Sequence, residues 1–211
     1  MNIVGILLAA GRGLRYDAGG QHCKLLARRS SGPAAGQVIA VAAARALRAV
    51  VAPVIAVVQQ ADPPGVDPGK EAAWDEAQAT LRQLLAQAGC ELLPWSAADG
   101  AAPGSGASIA CAVRSTRAAA GWLIALADMP DIRATTIAAL RDALAGGAEC
   151  VAPYYRGQRG HPVGFSAGCG AQLAALRGDS GARTVLEGRA LLRIDVDDPG
   201  ILLDVDTPDQ R

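Results

Sequence analysis

The sequence predicts an α/β fold in which a mostly parallel central sheet is covered by helices on both faces. Short, almost continuously apolar runs alternate along the chain with longer stretches of helical character, a pattern typical of strands buried on both sides. The chain has 211 residues, 51% of them hydrophobic, which is enough for a sizeable core. The Gly/Pro-rich segments 61–69 and 97–106 have the composition of surface loops. We therefore expect one domain over residues 1–211.

The first half of the chain shows the clearest alternation of strand and helix. Residues 3–9 form an uninterrupted apolar run, typical of a buried strand. The Ala-rich residues 34–49 predict a helix, and the β-branched run 50–58 predicts a second strand. Apolar residues at helical spacing predict a helix over residues 71–88, which ends at Gly89.

The second half repeats the pattern in shorter steps. Ser108 is a possible N-cap of a helix over residues 108–117. Gly146 follows a predicted helix over residues 135–145, and two short helices are predicted at residues 171–176 and 182–186. The remaining apolar runs predict strands at residues 90–93, 122–127, 150–154, 163–166, 191–196 and 201–205. In a sheet of this kind ligands bind beyond the carboxyl ends of the strands.

Composition excludes several classes of protein. The 20 Lys and Arg residues balance the 20 Asp and Glu residues, which argues against binding to nucleic acid. The five cysteines are scattered without a CxxC pair, as expected of a protein in the reducing cytoplasm. No apolar run approaches the roughly 18 residues of a membrane span, and no basic stretch precedes residues 3–9 as in a signal peptide.

A glycine-rich loop, residues 9–15, follows the first predicted strand directly. Gly11 and Gly13 would let backbone amides approach phosphate oxygens, and Arg15 and Lys24 would neutralise phosphate charge. Taken by itself, the glycine pattern also fits an ordinary tight turn that binds no ligand. The pattern therefore favours a phosphate-binding loop without proving one.

Two familiar phosphate-binding motifs do not fit this loop. A dinucleotide fingerprint requires a third glycine at position 16, which is Tyr16. A P-loop requires Gly-Lys-Ser/Thr, but Lys24 stands between Cys23 and Leu25. Both readings are excluded by spacing.

Asp128 follows the predicted strand 122–127 and precedes Met129-Pro130. A carboxylate at the carboxyl end of a buried strand is well placed to hold a metal over a nucleotide. Mg²⁺ prefers oxygen ligands, commonly one or two carboxylates with phosphates and water. The alternative is that Asp128 caps a turn or the helix near Thr135.

A second acidic segment near the end of the sequence contains Asp204 and Asp206. If the predicted strand 201–205 continues, both side chains lie on the same side of it. Thr207-Pro208 would then open a helix, with proline in the first turn. We predict Asp206 as the second metal ligand, with Asp204 as its rival.

These motifs together resemble the molybdenum cofactor nucleotidyltransferases, and in particular the cytidylyltransferases among the MobA-like NTP transferases. The resemblance rests on the loop at 8–15 with Lys24-Leu25-Leu26, on Leu126–Pro130, on Arg159-Gly160-His161-Pro162, on Gly178–Arg183 and on Asp204–Pro208. It spans nearly the whole chain in the expected order. It implies a three-layer α/β/α Rossmann-like fold of the nucleotide-diphospho-sugar transferase type.

The resemblance also implies roles for individual residues. Catalytic roles fall to Arg15, Lys24 and Asp128, and the metal ligands would be Asp128 and Asp206. The acceptor-binding residues would be Arg159, His161, Asp179 and Arg183. The alternative for His161 is a structural role in a turn, and the alternative for the segment 178–183 is a simple helix cap. The nucleotide-binding residues would be Leu8, Ala9, Ala10, Gly11, Arg12, Gly13, Arg15, Lys24, Ser108 and Asp128.

The implied reaction is transfer of CMP from CTP to the phosphate of molybdopterin, with Mg²⁺ as cofactor and release of pyrophosphate (class 2.7.7). Ala9-Ala10-Gly11 resembles the cytidylyl branch, because the guanylyl branch usually has glycine at the second position. GTP or a sugar 1-phosphate acceptor is one alternative, and a nucleotide-binding protein without turnover is another. A molybdoenzyme or its chaperone would be a transient partner.

Overall fold

The computed structural model describes residues 1–11, 23–60, 68–95 and 104–207 of the chain. Within these ranges the strands are β1 (Ile3–Leu8), β2 (Val54–Gln59), β3 (Glu91–Trp95), β4 (Gly121–Leu126), β5 (Cys150–Tyr155), β6 (Gln158–Arg159), β7 (Val163–Ser166) and β8 (Leu191–Asp195). The α-helices are α1 (Ile39–Arg48), α2 (Pro68–Gln87), α3 (Ser105–Ser115), α4 (Ala134–Ala145), α5 (Gly170–Ala174) and α6 (Arg183–Leu186).

The strands form one mixed, mostly parallel sheet with the order β3-β2-β1-β4-β7-β5-β6. β1 pairs in parallel with β2 on one side and with β4 on the other. β7 is antiparallel to both β4 and β5, and β8 pairs in parallel with the other side of β5. The chain therefore builds outward from β1 in two directions, and the β1–β4 junction is the switch point at which such sheets bind ligands.

Helices cover both faces of this sheet. Alternate residues of β1 belong to different buried clusters, with Leu7 in one and Ile6 in the other. The Leu7 cluster includes Leu81 of α2 and Leu140 of α4, whereas the Ile6 cluster includes Ile109 of α3. The predicted three-layer α/β/α fold is thus confirmed. No helix in the described ranges combines the length and apolarity needed to cross a membrane.

Two predicted elements begin later than the sequence suggested. The helix predicted over residues 34–49 starts at Ile39, because Gly32 and Gly36 adopt positive φ angles of 80° and 79° and hold the preceding segment in turns. The strand predicted over 50–58 starts at Val54. The amides of Val50 and Val51 donate to the Leu47 carbonyl instead, so these residues form the turn that follows α1.

The strand predicted over residues 201–205 is wrong. The chain forms a 3₁₀ helix over Pro199–Leu202 and then continues without strand pairing to Asp206. Pro199 has no amide hydrogen for a ladder, and the Asp198 carboxylate accepts a hydrogen bond from the Gly200 amide at 3.1 Å. This turn starts the short helix. The helix expected from Thr207 onward falls on residues 208–211, outside the described ranges.

The prediction that Ser108 caps α3 is also wrong. The helix begins at Ser105 with Gly104 in the capping position, so Ser108 lies in the first turn. Its hydroxyl donates to the Gly104 carbonyl at 3.3 Å. The small residues Gly104 and Gly106 allow the helix to start earlier, against the backbone of another loop.

Candidate active site

The end of β1 and the end of β4 lie side by side at the carboxyl edge of the sheet. Leu8 is paired with Leu126, and the Ala127 amide donates to the Leu8 carbonyl at 3.1 Å. Ala9 continues the line of β1, and its amide donates to the Val57 carbonyl at 2.9 Å. The first residues of the glycine-rich loop therefore adjoin Asp128. Ala9 is buried, Ala10 is partly buried and Gly11 is exposed.

The rest of that loop and the segment that joins it to Cys23, together residues 12–22, lie outside the described ranges. The roles of Arg12, Gly13 and Arg15 therefore stay predictions. The description resumes at Cys23, where a 3₁₀ helix over Lys24–Leu26 begins. Leu25 is buried in the core and fixes this turn, while Lys24 reaches the edge of the sheet.

Lys24 joins the two carboxylates that the sequence analysis singled out. Its Nζ lies 2.6 Å from Oδ2 of Asp128 and 3.1 Å from Oδ1 of Asp206. The three side chains are largely buried, with 11%, 20% and 19% of their surfaces exposed. Asp128 Oδ1 is buried and has no hydrogen-bond partner among the described residues. Two carboxylates thus converge on one cation, and one of them keeps an unused acceptor oxygen.

The segment after the 3₁₀ helix Pro199–Leu202 positions Asp206. The Val205 side chain is buried, and its amide donates to the Asp128 carbonyl at 3.0 Å. This bond holds the backbones of the two acidic segments together. Asp204 is exposed, and it is Asp206 whose carboxylate forms the ion pair with Lys24. Asp204 and Asp206 would lie on the same side only in a strand, and the chain forms no strand at these residues.

Opposing effects act on the Lys24 ammonium. Burial by itself favours the neutral amine, but the hydrogen bonds and negative charges of Asp128 and Asp206 outweigh it and raise the Lys24 pKa above its usual value. Lys24 is therefore a cation throughout the physiological pH range. It neutralises one of the two carboxylate charges beside it.

His161 lies close enough to Asp128 and Asp204 for their negative charges to act on its pKa. Its amide donates to the Ile201 carbonyl at 3.0 Å, while the buried Nδ1 has no partner in the described part of the chain. Burial lowers the His161 pKa most strongly and the charge of Arg159 lowers it further, whereas Asp128 and Asp204 act in the opposite direction. The net result is a neutral imidazole near Asp128 at pH 7. Arg159 itself is exposed on β6.

The loop at residues 178–183 packs against the start of α3. The Gly178 carbonyl accepts hydrogen bonds from the amides of Gly106 at 2.9 Å and Ala107 at 3.3 Å. A Cβ on Gly106 would lie 2.4 Å from the Ser180 carbonyl oxygen, so the contact requires glycine. The structure therefore joins the segment predicted to face the nucleotide, which includes Ser108, to one predicted to face the acceptor.

Asp179 and Arg183, both on the exposed side of that loop, are not brought to the carboxylates. Within the described ranges neither shares a hydrogen bond or ion pair with Lys24, Asp128 or Asp206. Their acceptor-binding role stays a prediction from resemblance.

Two supporting carboxylates escaped the sequence analysis. Asp198 is 2% exposed and accepts hydrogen bonds from the Arg133 amide at 2.9 Å and the Thr136 hydroxyl at 2.7 Å. Asp131 binds Arg29 and the Ala34 amide, and so anchors the loop that follows Lys24. The sequence Asp198-Pro199-Gly200 is typical of a turn, and this pattern could have indicated a structural role for Asp198. No local signal marks the second.

The profile of the MobA-like NTP transferase domain matches residues 5–194 of the sequence. The chain belongs to this family. The match includes Lys24, Asp128 and His161 but ends before Asp206. Members of the MobA-like NTP transferase family are nucleotidyltransferases that bind a nucleoside triphosphate and an acceptor and use divalent metal ions. No functionally curated protein matches the sequence.

Several solved structures share the fold of this chain. Rv0371c from Mycobacterium tuberculosis H37Rv is 22% identical, with a TM-score of 0.70 over 100% of this chain and 95% of that one. Its manganese complex is 24% identical, with a TM-score of 0.67 over 100% and 96% of the two chains.

Two further solved structures differ in the nucleotide that their names contain. Molybdopterin-guanine dinucleotide biosynthesis protein A from Archaeoglobus fulgidus is 17% identical, with a TM-score of 0.63 over 98% of this chain and 94% of that one. The 4-diphosphocytidyl-2C-methyl-D-erythritol synthase from Anaerococcus prevotii is 11% identical, with a TM-score of 0.68 over 99% and 92%. At these identities the likeness shows the fold, and it leaves the choice of base open.

Proposed function

We propose that this MobA-like NTP transferase transfers CMP from CTP to the phosphate of molybdopterin, with release of pyrophosphate. The observation that carries the proposal is the convergence of Asp128 and Asp206 on Lys24, beside the end of β1. Nucleotidyl transfer needs cationic groups and metal-binding oxygens at one point, where triphosphate charge is neutralised. The carboxyl edge of this sheet supplies both.

The residues present fit a divalent metal ion. Asp128 and Asp206 offer carboxylate oxygens close enough to share one cation, and Asp128 Oδ1 is a buried acceptor without a partner among the described residues. Mg²⁺ typically binds one or two carboxylates and completes its shell with phosphate and water. Bound there, Mg²⁺ would neutralise phosphate charge and act as a Lewis acid at the triphosphate.

The chain's own residues have mainly electrostatic and positioning tasks in this reaction. An oxygen of the acceptor phosphate forms a bond to the α-phosphorus of CTP, and the bond from that phosphorus to the β-phosphate bridging oxygen breaks. The acceptor oxygen is already an anion, so no general base is needed. Lys24, with Arg15 as predicted from sequence, would offset charge on the departing pyrophosphate.

Neutral His161 suits a role on the acceptor side. Its imidazole lies near Asp128 without adding a fixed positive charge, and its Nδ1 is free to pair with a ligand as far as the described residues show. Arg159, exposed on the neighbouring β6 hairpin, would contribute the positive charge for an anionic acceptor. The proposed acceptor pair is thus one neutral hydrogen-bonding group and one cation.

The preference for CTP rests on residues at the end of β1. Ala9 is buried against the neighbouring strands and Ala10 is partly buried. This Ala-Ala-Gly sequence is the one that resembles the cytidylyl branch. GTP is the competing substrate, and a sugar 1-phosphate is the competing acceptor.

Pyrophosphate release by the purified protein tests the proposal. We expect CTP, Mg²⁺ and molybdopterin to give faster release than GTP with molybdopterin or CTP with sugar 1-phosphates. Asp128→Asn removes a metal ligand and should lower the rate by about 100-fold or more. Asp197→Asn, which changes an exposed carboxylate on the same edge of the molecule, is the matched control.

Three results would change the conclusion. Full activity of Asp128→Asn would remove the metal role of this residue. Faster release with GTP or with a sugar phosphate would keep the chemistry and change the substrate. Tight CTP binding by calorimetry with no pyrophosphate release from any acceptor would indicate a nucleotide-binding protein without turnover.

A further inference from the structure

The ammonium of Lys24 stands where the proposed metal ion would stand. It lies 2.6 Å from Asp128 Oδ2 and 3.1 Å from Asp206 Oδ1, so it already uses one oxygen of each carboxylate. A magnesium ion bound to the same oxygens would lie about 2.1 Å from them. Two cations this close, with little water between them, would repel each other strongly. Lys24 in this position and a metal ion bound to the same two oxygens therefore exclude one another.

Local charge explains why Lys24 takes this position. Asp128 and Asp206 bring two negative charges into a largely buried place, and burying unpaired charge is costly. Lys24 is the only described residue that forms an ion pair with both. A triphosphate supplies a second set of anionic oxygens, to which the flexible lysine side chain can move.

We propose that Lys24 is a built-in competitor of the metal ion, which the triphosphate draws away so that metal and nucleotide bind together. This inference rests on the proposed function, because it assigns the two carboxylates to the metal. It adds that Lys24 has two positions with two partners. In the first position, which the structure shows, Lys24 holds Asp128 and Asp206; in the second, with the nucleotide bound, it holds phosphate.

Coupling of this kind has a measurable consequence. Metal binding without nucleotide must displace Lys24, so part of the affinity for the metal is lost in breaking the two ion pairs. Removing the ammonium should raise the affinity for the metal alone. A lysine that only bound phosphate would have no such effect, since it would not touch the carboxylates that bind the metal.

A Mn²⁺ titration of the full chain, followed by electron paramagnetic resonance without nucleotide or acceptor, tests the inference. Mn²⁺ is the probe because its free form is detected directly. We expect Lys24→Met to bind Mn²⁺ about 5- to 150-fold more tightly than the unmodified protein, the usual range of coupling between sites. Asp128→Asn and Asp206→Asn should each weaken binding in both backgrounds.

Lys70→Met is the matched control, since Lys24 and Lys70 are the two lysines of the sequence. It should leave Mn²⁺ affinity unchanged. Circular dichroism establishes that each variant is folded. If Lys24→Met is unstable because two carboxylates then face each other, Lys24→Gln keeps a hydrogen-bond donor and removes the charge.

A second measurement needs no altered charge at the site. With ¹⁵N-labelled lysine, the protein has two side-chain ammonium groups, and Lys70→Arg leaves only that of Lys24. CTP added without metal should shift the Lys24 signal as its partner changes from carboxylate to phosphate. Mg²⁺ and CTP together should shift it further from the nucleotide-free position.

The inference is overturned if Lys24→Met or Lys24→Gln binds Mn²⁺ no more tightly than the unmodified protein, or if CTP leaves the Lys24 signal unmoved. Its failure is separable from failure of the proposed function. Equal Mn²⁺ affinities with normal pyrophosphate release remove the competitor role alone. Tighter Mn²⁺ binding by the lysine variants, together with no pyrophosphate release by the unmodified protein, keeps the competition and contradicts the proposed enzymatic activity.

Discussion

Lys24 stabilises Asp128 and Asp206 beside each other by neutralising one of their two negative charges. Each side chain is at least four-fifths buried, so water screens the two carboxylates weakly. Removing the shared cation leaves like charges close together, which is more costly than losing a surface ion pair. A site of this kind binds cations readily, which is the property a triphosphate-binding enzyme requires.

The His161 imidazole should titrate below the ordinary range for histidine. Burial is the main cause of its lowered pKa, so the folded state binds the proton less readily than an unfolded histidine of pKa 6.5 does. The contribution of this group to stability is therefore complete above pH 6.5 and declines as the pH falls below it. NMR of the two histidines, His22 and His161, measures this pKa directly.

His161→Gln is the matched variant for this prediction. It keeps a polar side chain and removes the titration, so its denaturation midpoint should fall less between pH 7 and pH 5 than that of the unmodified protein. A His161 signal titrating at or above 6.5 would show that the negative charges of Asp128 and Asp204 prevail over burial. The expected sign of the pH effect would then reverse.

At the scale of elements, the C-terminal segment is fixed by Asp198 rather than by strand pairing. This buried carboxylate ties the 3₁₀ helix Pro199–Leu202 to the start of α4 through the Arg133 amide and the Thr136 hydroxyl. The segment runs on to Asp206. The position of a predicted metal ligand thus depends on a residue eight places earlier in the chain.

Asp198→Ala should lower both stability and metal binding. Hydrogen bonds to a charged, buried group contribute about 1.5–3 kcal/mol each when a partner is removed, so we expect the free energy of unfolding to fall by about 3 kcal/mol. Urea denaturation measures this loss. The exposed Asp197→Asn is the control and should be neutral. If Asp198→Ala is folded and its Mn²⁺ affinity is unchanged, Asp198 does not position Asp206.

The elements could be predicted where burial alone determines them. Residues 163–166 and 135–145 were predicted almost to the residue, because apolar runs and glycine stops are local signals. The predicted strand 201–205 failed because Asp198 bonds to residues 62 and 65 positions away. Ser108 failed as a cap because the backbone of Gly178 takes over the first amides of α3. Both errors come from contacts that sequence spacing does not reveal.

At the scale of the whole molecule, the strand order places the site. The α/β class follows from the alternation of apolar runs, but no local pattern shows that β4 lies beside β1 or that β7 is inserted antiparallel between β4 and β5. That order brings Lys24 to Asp206 over a separation of 182 residues. The motif resemblance predicted Asp128 and Asp206 as site residues, whereas their shared ion pair with Lys24 is known only from the fold.

Ligand binding at this junction should stabilise the entire fold. A ligand at about 100 times its Kd adds about 2.7 kcal/mol, and each kcal/mol raises the Tm of a chain of this size by about 2–4 °C. We therefore expect CTP with Mg²⁺ to raise the Tm by about 5–10 °C in differential scanning calorimetry. Asp128→Asn should show a clearly smaller shift. An equal shift in that variant would place the ligand elsewhere.

Anomalous diffraction from crystals containing CTP and Mn²⁺ tests the central claim most directly, because it locates the metal without reference to activity. The proposed site predicts a manganese peak within bonding distance of carboxylate oxygens of both Asp128 and Asp206 and of a phosphate oxygen, with Lys24 Nζ turned toward phosphate. A manganese peak that contacts neither aspartate, with Lys24 still paired to both, would contradict the account.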